Sequence, residues 1–313
     1  MPLGVNLCFA VKRMPEPERW AAFVREDLGL DHVQFTFDLL DPWWPEPHRS
    51  NLIRRTAAAA QAHDLSIHSA FVGLAHYVPS GLLDPDPDAR AVAKTWWWNA
   101  VDVAAALGAG AVGGPLGTIS DADFAAPASR QQRYDDLLDA LSEIGGHASE
   151  SGLSEVLIEP TPIARELPAT IDKCARLLGD LAGRGVTNVG LTLDTGHMTF
   201  QPLHGQGAAV DDWIHRLGSR IRQIHLDNSD GNGDPHWGWP DARGSFDVAG
   251  LAEQLRGAGL GDISVVLEVY PRFEDDSGHV LDLIRSSIDH CRPHFAPPNR
   301  PAAPQEFRDA LAG

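Results

Sequence analysis

Short runs of aliphatic and β-branched residues alternate with helix-like segments along most of the chain. The helix-like segments often begin at Pro, Ser or Asp and end at Gly, which are the usual entry and exit signals of helices. Eight such alternations predict a closed (β/α)8 TIM barrel of the α/β class rather than an open sheet. The strand-like runs span residues 4–10, 32–40, 65–72, 110–114, 155–160, 189–194, 221–227 and 263–269.

The barrel pattern fills nearly the whole chain. No linker and no internal repeat beyond the βα unit interrupts it, so residues 1–292 are predicted to form one barrel domain. Residues 293–313 are rich in Pro and Ala and are interpreted as a C-terminal extension.

Ionisable side chains interrupt the hydrophobic runs close to their C-terminal ends, which carry the chemistry in a TIM barrel. A lone charge in such a run is costly unless it is paired or bound to a metal. Taken alone, the stretch DTGH at 194–197 also fits ordinary turn chemistry. Repetition on several strands favours a shared site. The residues concerned are His68, Glu159, Asp194, His197, His225 and Glu268.

Four of these residues form a set of metal-ligand type. Glu159, Asp194, His225 and Glu268 come from the fifth to eighth strand-like runs, so their side chains are predicted to converge above the barrel. Three carboxylates with one imidazole suit Mn²⁺, Mg²⁺, Co²⁺ or Zn²⁺. Without a cation the carboxylates would repel one another, and one would take up a proton. The alternative is a buried salt-bridge network, but the nearby arginines lie only in loops or at a strand start.

Composition narrows the classes of function. The 313 residues include 43 acidic and 25 basic side chains, and the net charge of −18 repels polyanions. A nucleic-acid partner is therefore not expected. No basic leader and no 18-residue apolar run is present, so neither secretion nor membrane insertion is expected. Three scattered cysteines without a CxxC pair indicate a cytoplasmic protein without disulfides.

The motifs HSAF, LIEP, DTGHM, IHLDNSD and VVLEVYP follow one another in a characteristic order and spacing. They resemble the xylose isomerase-like superfamily of sugar isomerases and epimerases, which includes ketose 3-epimerases, inosose dehydratases and apurinic endonucleases. The resemblance covers residues 4–290, and DTGHM with LEVY is its most specific part.

This resemblance implies a metal-dependent enzyme acting on carbohydrates. It implies that Glu159, Asp194, His225 and Glu268 bind one divalent ion, with Mn²⁺ expected first and Mg²⁺, Co²⁺ or Zn²⁺ as alternatives. His197 would contact a substrate oxygen. Glu159 and Glu268 would also be the catalytic acid and base, one on each face of the substrate.

The expected reaction passes through an enediolate. A metal that holds a carbonyl and the adjacent hydroxyl acidifies the C–H between them, and two carboxylates can then remove and return the proton. The predicted function is a sugar isomerase or epimerase acting on a keto sugar or a polyol-derived substrate. A lyase on the same scaffold is the alternative, either a dehydratase, an oxo-sugar-acid decarboxylase or a 3-keto-glycoside eliminating enzyme. An apurinic endonuclease-like hydrolase is less favoured.

The chain departs from the superfamily pattern at two places. Ketose epimerases carry an Arg soon after the histidine of strand seven, where this chain has Asp230 and Gly231, and Arg243 would have to reach back from the far end of the loop. The endonucleases carry a histidine on strand four, where this chain has Gly114 and Pro115. A second metal at His197, Asp234 and His236 is therefore kept only as an alternative.

Further residues near the predicted mouth are candidates for substrate contact. Apolar rings can stack on the C–H face of a sugar, although packing between loops explains such rings equally well. No cluster of Lys and Arg marks these loops, which favours a free sugar over a phosphate. The predicted contacts are His68, His197, His236, Arg243, Phe9, Trp44 and Trp237.

Three consecutive tryptophans stand in the third helix-like segment. Successive helical residues point about 100° apart, so Trp96, Trp97 and Trp98 cannot all face the barrel. At least one ring is predicted to be exposed, and this is consistent with a homo-oligomer.

Overall fold

Eight parallel strands close a barrel in chain order, with β1 paired to β8. The structure is a computed structural model that describes residues 1–295. All eight predicted strands are present, and the predicted TIM barrel is confirmed. The strands are β1 Leu3–Asn6, β2 His32–Thr36, β3 Ser66–Phe71, β4 Ala111–Gly114, β5 Glu155–Ile158, β6 Val189–Asp194, β7 Ile221–Leu226 and β8 Ser264–Leu267.

Helices connect the strands and cover the outside of the barrel. Several begin with a capped turn; for example, the side chain of Asp86 accepts a hydrogen bond from the backbone N–H of Asp88 at the start of α3. The helices are α1 Pro17–Ala22, α2 His48–Ala62, α3 Pro87–Ala106, α4 Asp121–Ala125, α5 Pro127–Glu150, α6 Ile171–Gly183, α7 Thr195–Met198, α8 Gln201–His204, α9 Val210–Leu217, α10 Val248–Gly257 and α11 Ser277–Phe295.

The first strand is shorter than the sequence pattern predicts. It ends at Asn6, because the side chain of Asn6 accepts a hydrogen bond from the backbone N–H of Cys8 and starts a 3-10 turn over Leu7–Ala10. The last helix, in turn, is longer than predicted. It runs to the buried Phe295, three residues past the predicted domain end, and residues 296–313 of the predicted extension lie outside the described residues.

The core lies between the strands and the helices. Trp96 and Trp97 of α3 are fully buried there, whereas Trp98 is 38% exposed, as the spacing predicts. Cys8, Cys174 and Cys291 are all buried and free of disulfides. Within residues 1–295, no helix combines the length and the apolar character needed to cross a membrane.

Candidate active site at the C-terminal mouth of the barrel

Four ligand-type side chains meet where β5 to β8 end. Glu159 and Glu268 directly follow β5 and β8, Asp194 ends β6, and His225 lies near the end of β7. The Nδ1 atom of His225 is 2.7 Å from Oε1 of Glu159 and 2.9 Å from Oε2 of Glu268. One ligand atom from each of the four residues lies within 4.8 Å of the other three, and every side chain is buried. The structure therefore brings the predicted quartet together.

The local chemistry of this quartet fits a divalent cation. Asp194 uses Oδ1 to accept a hydrogen bond from the backbone N–H of His197 at 2.9 Å, while its Oδ2 is buried without a hydrogen-bond partner. An unpaired, desolvated carboxylate oxygen is costly. Burial would lower the pKa of His225, but the carboxylates of Glu268 and Glu159 outweigh it and raise that pKa to about 10. The two glutamates thus converge on a position that favours positive charge.

A second layer of polar groups borders the quartet. Asp234 lies between two imidazoles, with its carboxylate oxygens 3.2 Å from Nε2 of His197 and 3.2 Å from Nε2 of His236. His197 also donates through Nδ1 to the carbonyl of Pro160 at 3.1 Å. His236 donates through Nδ1 to the backbone carbonyl of Glu268 at 3.3 Å. The predicted contacts His197 and His236 therefore both lie at the site.

The long loop after β7 is folded back towards the end of that strand. Asn228 and Trp237 exchange two backbone hydrogen bonds, of 2.8 and 3.0 Å, in an isolated antiparallel bridge. The segment between them contains Asp234 and His236. His236 has a φ of +45°, in the left-handed region that side chains rarely adopt. The bridge and this strained backbone together bring the imidazole to Glu268.

Comparison with known proteins identifies the family of this barrel. The sequence model of one protein family, described as the xylose isomerase-like TIM barrel, matches residues 23–294. The chain belongs to that family. The resemblance seen in the sequence motifs is thereby confirmed, as is the prediction of an enzyme of the isomerase or epimerase class.

Individual relatives of this family cover nearly the whole chain. D-erythrulose 1-phosphate 3-epimerase of Brucella abortus (strain 2308) is 25% identical over 304 residues, which are 94% of this chain and 96% of the relative. A crystal structure from Rhodospirillum rubrum ATCC 11170, provisionally named a xylose isomerase, is 37% identical with a TM-score of 0.90 and covers 94% of this chain and 99% of its own. D-psicose 3-epimerase from Clostridium cellulolyticum H10, crystallised with D-tagatose, shares the fold at 18% identity and a TM-score of 0.71, over 94% of this chain and 99% of its own.

Arg243 lies on the long loop of this xylose isomerase-like barrel, away from the quartet. Its guanidinium pairs with Asp241 at 2.6 Å and lies over the ring of Trp237, and 66% of its side chain is exposed. None of its hydrogen bonds or ion pairs reaches the quartet. The Asp two residues earlier captures the guanidinium, so the structure does not support the predicted contact with substrate. Trp237 is half-buried on the folded-back loop and remains a predicted contact.

Phe9 and His68 are also placed differently from the prediction. Phe9 has no exposed surface and packs against Phe23 in the core, because the 3-10 turn after β1 directs it inwards. His68 lies inside β3 rather than at its end, and its Nδ1 accepts a hydrogen bond from Gln223 at 2.9 Å. Burial and the neighbouring His32 and His225 lower the pKa of His68 to about 4, so its ring is neutral.

Trp44 follows β2, as predicted. Its ring is half-buried, and its centroid lies 5.0 Å from that of His48 at the start of α2. It remains a predicted substrate contact.

The structure explains the glycine of the DTGH motif through a residue whose role the motif does not reveal. The fully buried Asp227 accepts hydrogen bonds from Oγ1 of Thr195 at 2.6 Å and from the backbone N–H of Gly196 at 2.8 Å. A Cβ at Gly196 would come within 2.8 Å of the Asp227 carboxylate. Asp227 therefore holds the turn that carries His197, and only glycine fits between them.

Glu166 is a second buried carboxylate that the motifs do not reveal. It has no exposed surface and lies on the loop between β5 and α6. Its carboxylate accepts hydrogen bonds from the hydroxyls of Thr161 and of Tyr77, the latter at 3.1 Å, and from the backbone N–H of Gly117 at 3.4 Å. These partners lie on the loops after β3, β4 and β5, so Glu166 ties three walls of the mouth together. Burial raises its pKa to about 7.

Replacing Glu166 by Gln is expected to flatten the dependence of stability on pH. Because the pKa of Glu166 is raised on folding, its contribution to stability is complete below pH 4.5 and is lost as pH rises through about 7. The shift corresponds to about 3 kcal/mol between pH 5 and 8. Urea unfolding of wild type and Glu166→Gln at both pH values measures the difference. If the free energy of unfolding changes equally between the two pH values in both proteins, the raised pKa of Glu166 is contradicted.

Proposed function

We propose that this protein is a divalent-metal-dependent epimerase or isomerase of keto sugars that acts through an enediolate. The observation that carries the proposal is the approach of Glu159 and Glu268 to one nitrogen of His225, at 2.7 and 2.9 Å, beside the unpaired Oδ2 of Asp194. These four residues would hold the ion, with Mn²⁺ as the first candidate and Mg²⁺, Co²⁺ or Zn²⁺ as alternatives. When bound, it would supply charge stabilisation to two adjacent substrate oxygens.

The protein groups would move the proton. Glu159 and Glu268 come from β5 and β8, and the proposal assigns one to each face of the substrate carbon. One carboxylate removes the proton and the other returns one, which inverts the stereocentre. His197, held by Pro160 and Asp234, would orient a substrate oxygen, and His236 would do the same from the folded-back loop. Burial of the glutamates keeps bulk water from these transfers.

The substrate is proposed to be a small keto sugar. The named relative from Brucella abortus acts on a four-carbon ketose phosphate, whereas no Lys or Arg among residues 1–295 forms an ion pair within the quartet or its border. The first substrates to test are therefore free D-erythrulose, its 1-phosphate and the free ketohexoses, which we call the panel. Comparing D-erythrulose with its 1-phosphate shows directly whether the phosphate contributes to recognition.

The deciding experiment measures exchange of substrate C–H with deuterium. Protein loaded with Mn²⁺ is incubated with the substrate in D₂O, the paramagnetic ion is then removed, and the sugar is analysed by NMR. Deuterium at the carbon next to the carbonyl together with an inverted product supports the proposal. Exchange followed by cleavage of a C–O or C–C bond would move the enzyme to the lyase alternative. Absence of exchange with every ketose of the panel would reject the enediolate chemistry.

A further inference from the structure

Asn6 contacts the predicted catalytic machinery from the opposite end of the chain. It ends β1 and is 2% exposed. Its Oδ1 accepts a hydrogen bond from the backbone N–H of Cys8 at 2.8 Å, which identifies that atom as the oxygen. Its Nδ2 then donates to Oε1 of Gln34 at 2.6 Å and to Oε1 of Glu268 at 2.7 Å. Both amide protons and the amide oxygen are therefore engaged.

The orientation of Asn6 is passed on through the interior of the barrel. Because Oε1 of Gln34 accepts from Asn6, the Nε2 of Gln34 donates to Oε1 of Gln223 at 2.7 Å and to Oγ of Ser69 at 3.1 Å. Nε2 of Gln223 donates in turn to Nδ1 of His68 at 2.9 Å. The neutral ring of His68 can accept this bond. We call Asn6, Gln34, Gln223 and His68 the amide chain.

The amide chain is hydrogen-bonded to Glu268 and not to Glu159 within residues 1–295. Glu268 has Oε1 bound to Asn6, while its Oε2 faces Nδ1 of His225 at 2.9 Å. In the described part of the chain, His225 is the one side-chain partner of the Glu159 carboxylate. When both oxygens of a carboxylate are held, its plane is defined. When one oxygen is held, the carboxylate can still rotate about the Cγ–Cδ bond. Glu268 is therefore oriented before substrate arrives, and Glu159 is oriented less strictly.

We infer that Asn6 is a positioning residue that orients Glu268 for proton transfer at its face of the substrate. The inference rests on the proposed function. The amide chain keeps Asn6 itself in place, because turning its amide would break the bonds to Cys8, Gln34 and Glu268 together. Outer hydrogen bonds of this kind commonly change metal affinity or activity by about 10- to 100-fold.

A purely structural role would give a different result. If the amide chain only fills the barrel interior, loss of any of its bonds lowers stability and affects both glutamates alike. Thr192→Val is a matched control, because the buried hydroxyl of Thr192 donates to Oε1 of Gln223 at 3.1 Å and makes no hydrogen bond to Glu159 or Glu268. Asn6→Leu keeps the number and branching of the side-chain heavy atoms and removes the bond to Glu268 together with those to Cys8 and Gln34.

The test measures the rates of deuterium exchange and of inversion, starting from each of the two epimers. The proteins compared are wild type, Asn6→Leu and Thr192→Val. From the epimer whose proton Glu159 removes, Asn6→Leu should keep exchange but lose inversion, raising their ratio by about tenfold or more. From the other epimer, exchange and inversion should fall together. Thr192→Val should leave both ratios unchanged. Unchanged ratios in Asn6→Leu would overturn the inference.

Two further measurements separate the possible failures. The Kd for Mn²⁺, determined by calorimetry, should rise by about tenfold in Asn6→Leu and stay constant in Thr192→Val. This comparison still tests Asn6 if wild type shows no exchange, a result that rejects the proposed function instead. If Asn6→Leu does not fold, Gln34→Leu releases the amide of Asn6 and should shift both readouts in the same direction by a smaller factor. Constant values in Gln34→Leu would then overturn the inference.

Discussion

From the epimer whose proton Glu159 removes, a Glu159→Gln variant is expected to lose exchange of substrate C–H with solvent by about 10³-fold while it retains the barrel. The amide of Gln cannot accept the proton, and general bases contribute about 10² to 10⁴ to such steps. The variant also leaves Nδ1 of His225 with Glu268 as its remaining carboxylate partner. Rates are to be measured at saturating Mn²⁺, with the metal content determined in the same samples. This separates loss of the base from loss of the ion.

Glu155→Gln is the matched control for this experiment. Glu155 begins β5, at the opposite end of that strand from Glu159, and pairs with Arg222 at 2.8 Å. The same chemical change there should leave exchange unaltered. The assignment of Glu159 as a base fails if the metal-loaded Glu159→Gln enzyme keeps more than about a tenth of the wild-type exchange rate with both epimers, since a lost base removes far more from one of them.

Asp194→Asn is expected to remove the ion with little change to the polypeptide. The remaining oxygen can still accept the hydrogen bond from the backbone N–H of His197, while an amide nitrogen replaces the unpaired Oδ2. The Kd for Mn²⁺ should rise by at least about 100-fold, the upper end of the loss seen when an outer partner of a ligand is removed. Wild type should gain about 2.7 kcal/mol in free energy of unfolding when Mn²⁺ stands at 100 times its Kd. Thermal unfolding with and without Mn²⁺ measures how much of this gain the variant loses.

Asp234→Asn tests the alternative of two ions per chain. Asp234 lies outside the quartet and contacts His197 and His236, each at 3.2 Å. Plasma mass spectrometry on native protein should find one ion per chain in wild type and in Asp234→Asn, and a loss of that ion in Asp194→Asn. Two ions in wild type and one in Asp234→Asn would instead establish the second site. An Asp194→Asn variant that binds Mn²⁺ like wild type would refute the quartet as the site of the ion.

The sequence was sufficient to predict the strands and the convergence of the charged residues, and the reason is energetic. A carboxylate within a run such as VVLE is so costly to bury alone that its presence signals a partner. The neutral amides of Asn6, Gln34 and Gln223 carry a smaller penalty and resemble ordinary strand residues. A weaker signal was available in IRQIHL, where Gln223 and His225 stand two residues apart and so share one face of the strand.

The positions of loop residues could not be predicted in the same way. Arg243 follows the bridge between Asn228 and Trp237, and nothing in the local sequence specifies that this bridge forms. Phe9 lies close behind a predicted strand, yet the cap by Asn6 ends that strand early and turns the ring into the core. In both cases a local hydrogen bond that the hydrophobic pattern does not reveal accompanies the change in direction, from the backbone N–H of Cys8 to Asn6 beside Phe9 and from Arg243 to Asp241.

The pairing of β1 with β8 also bears on how the chain acquires its activity during folding. Asn6 and Glu268 are 262 residues apart, and they become neighbours when the first and last strands meet. Contacts between such distant segments carry a large loop-closure entropy and form slowly. A nascent chain that has not yet delivered its last strand lacks Glu268 and hence a complete set of ligands. On the proposed ligand set, binding of the ion would therefore require that the barrel has closed.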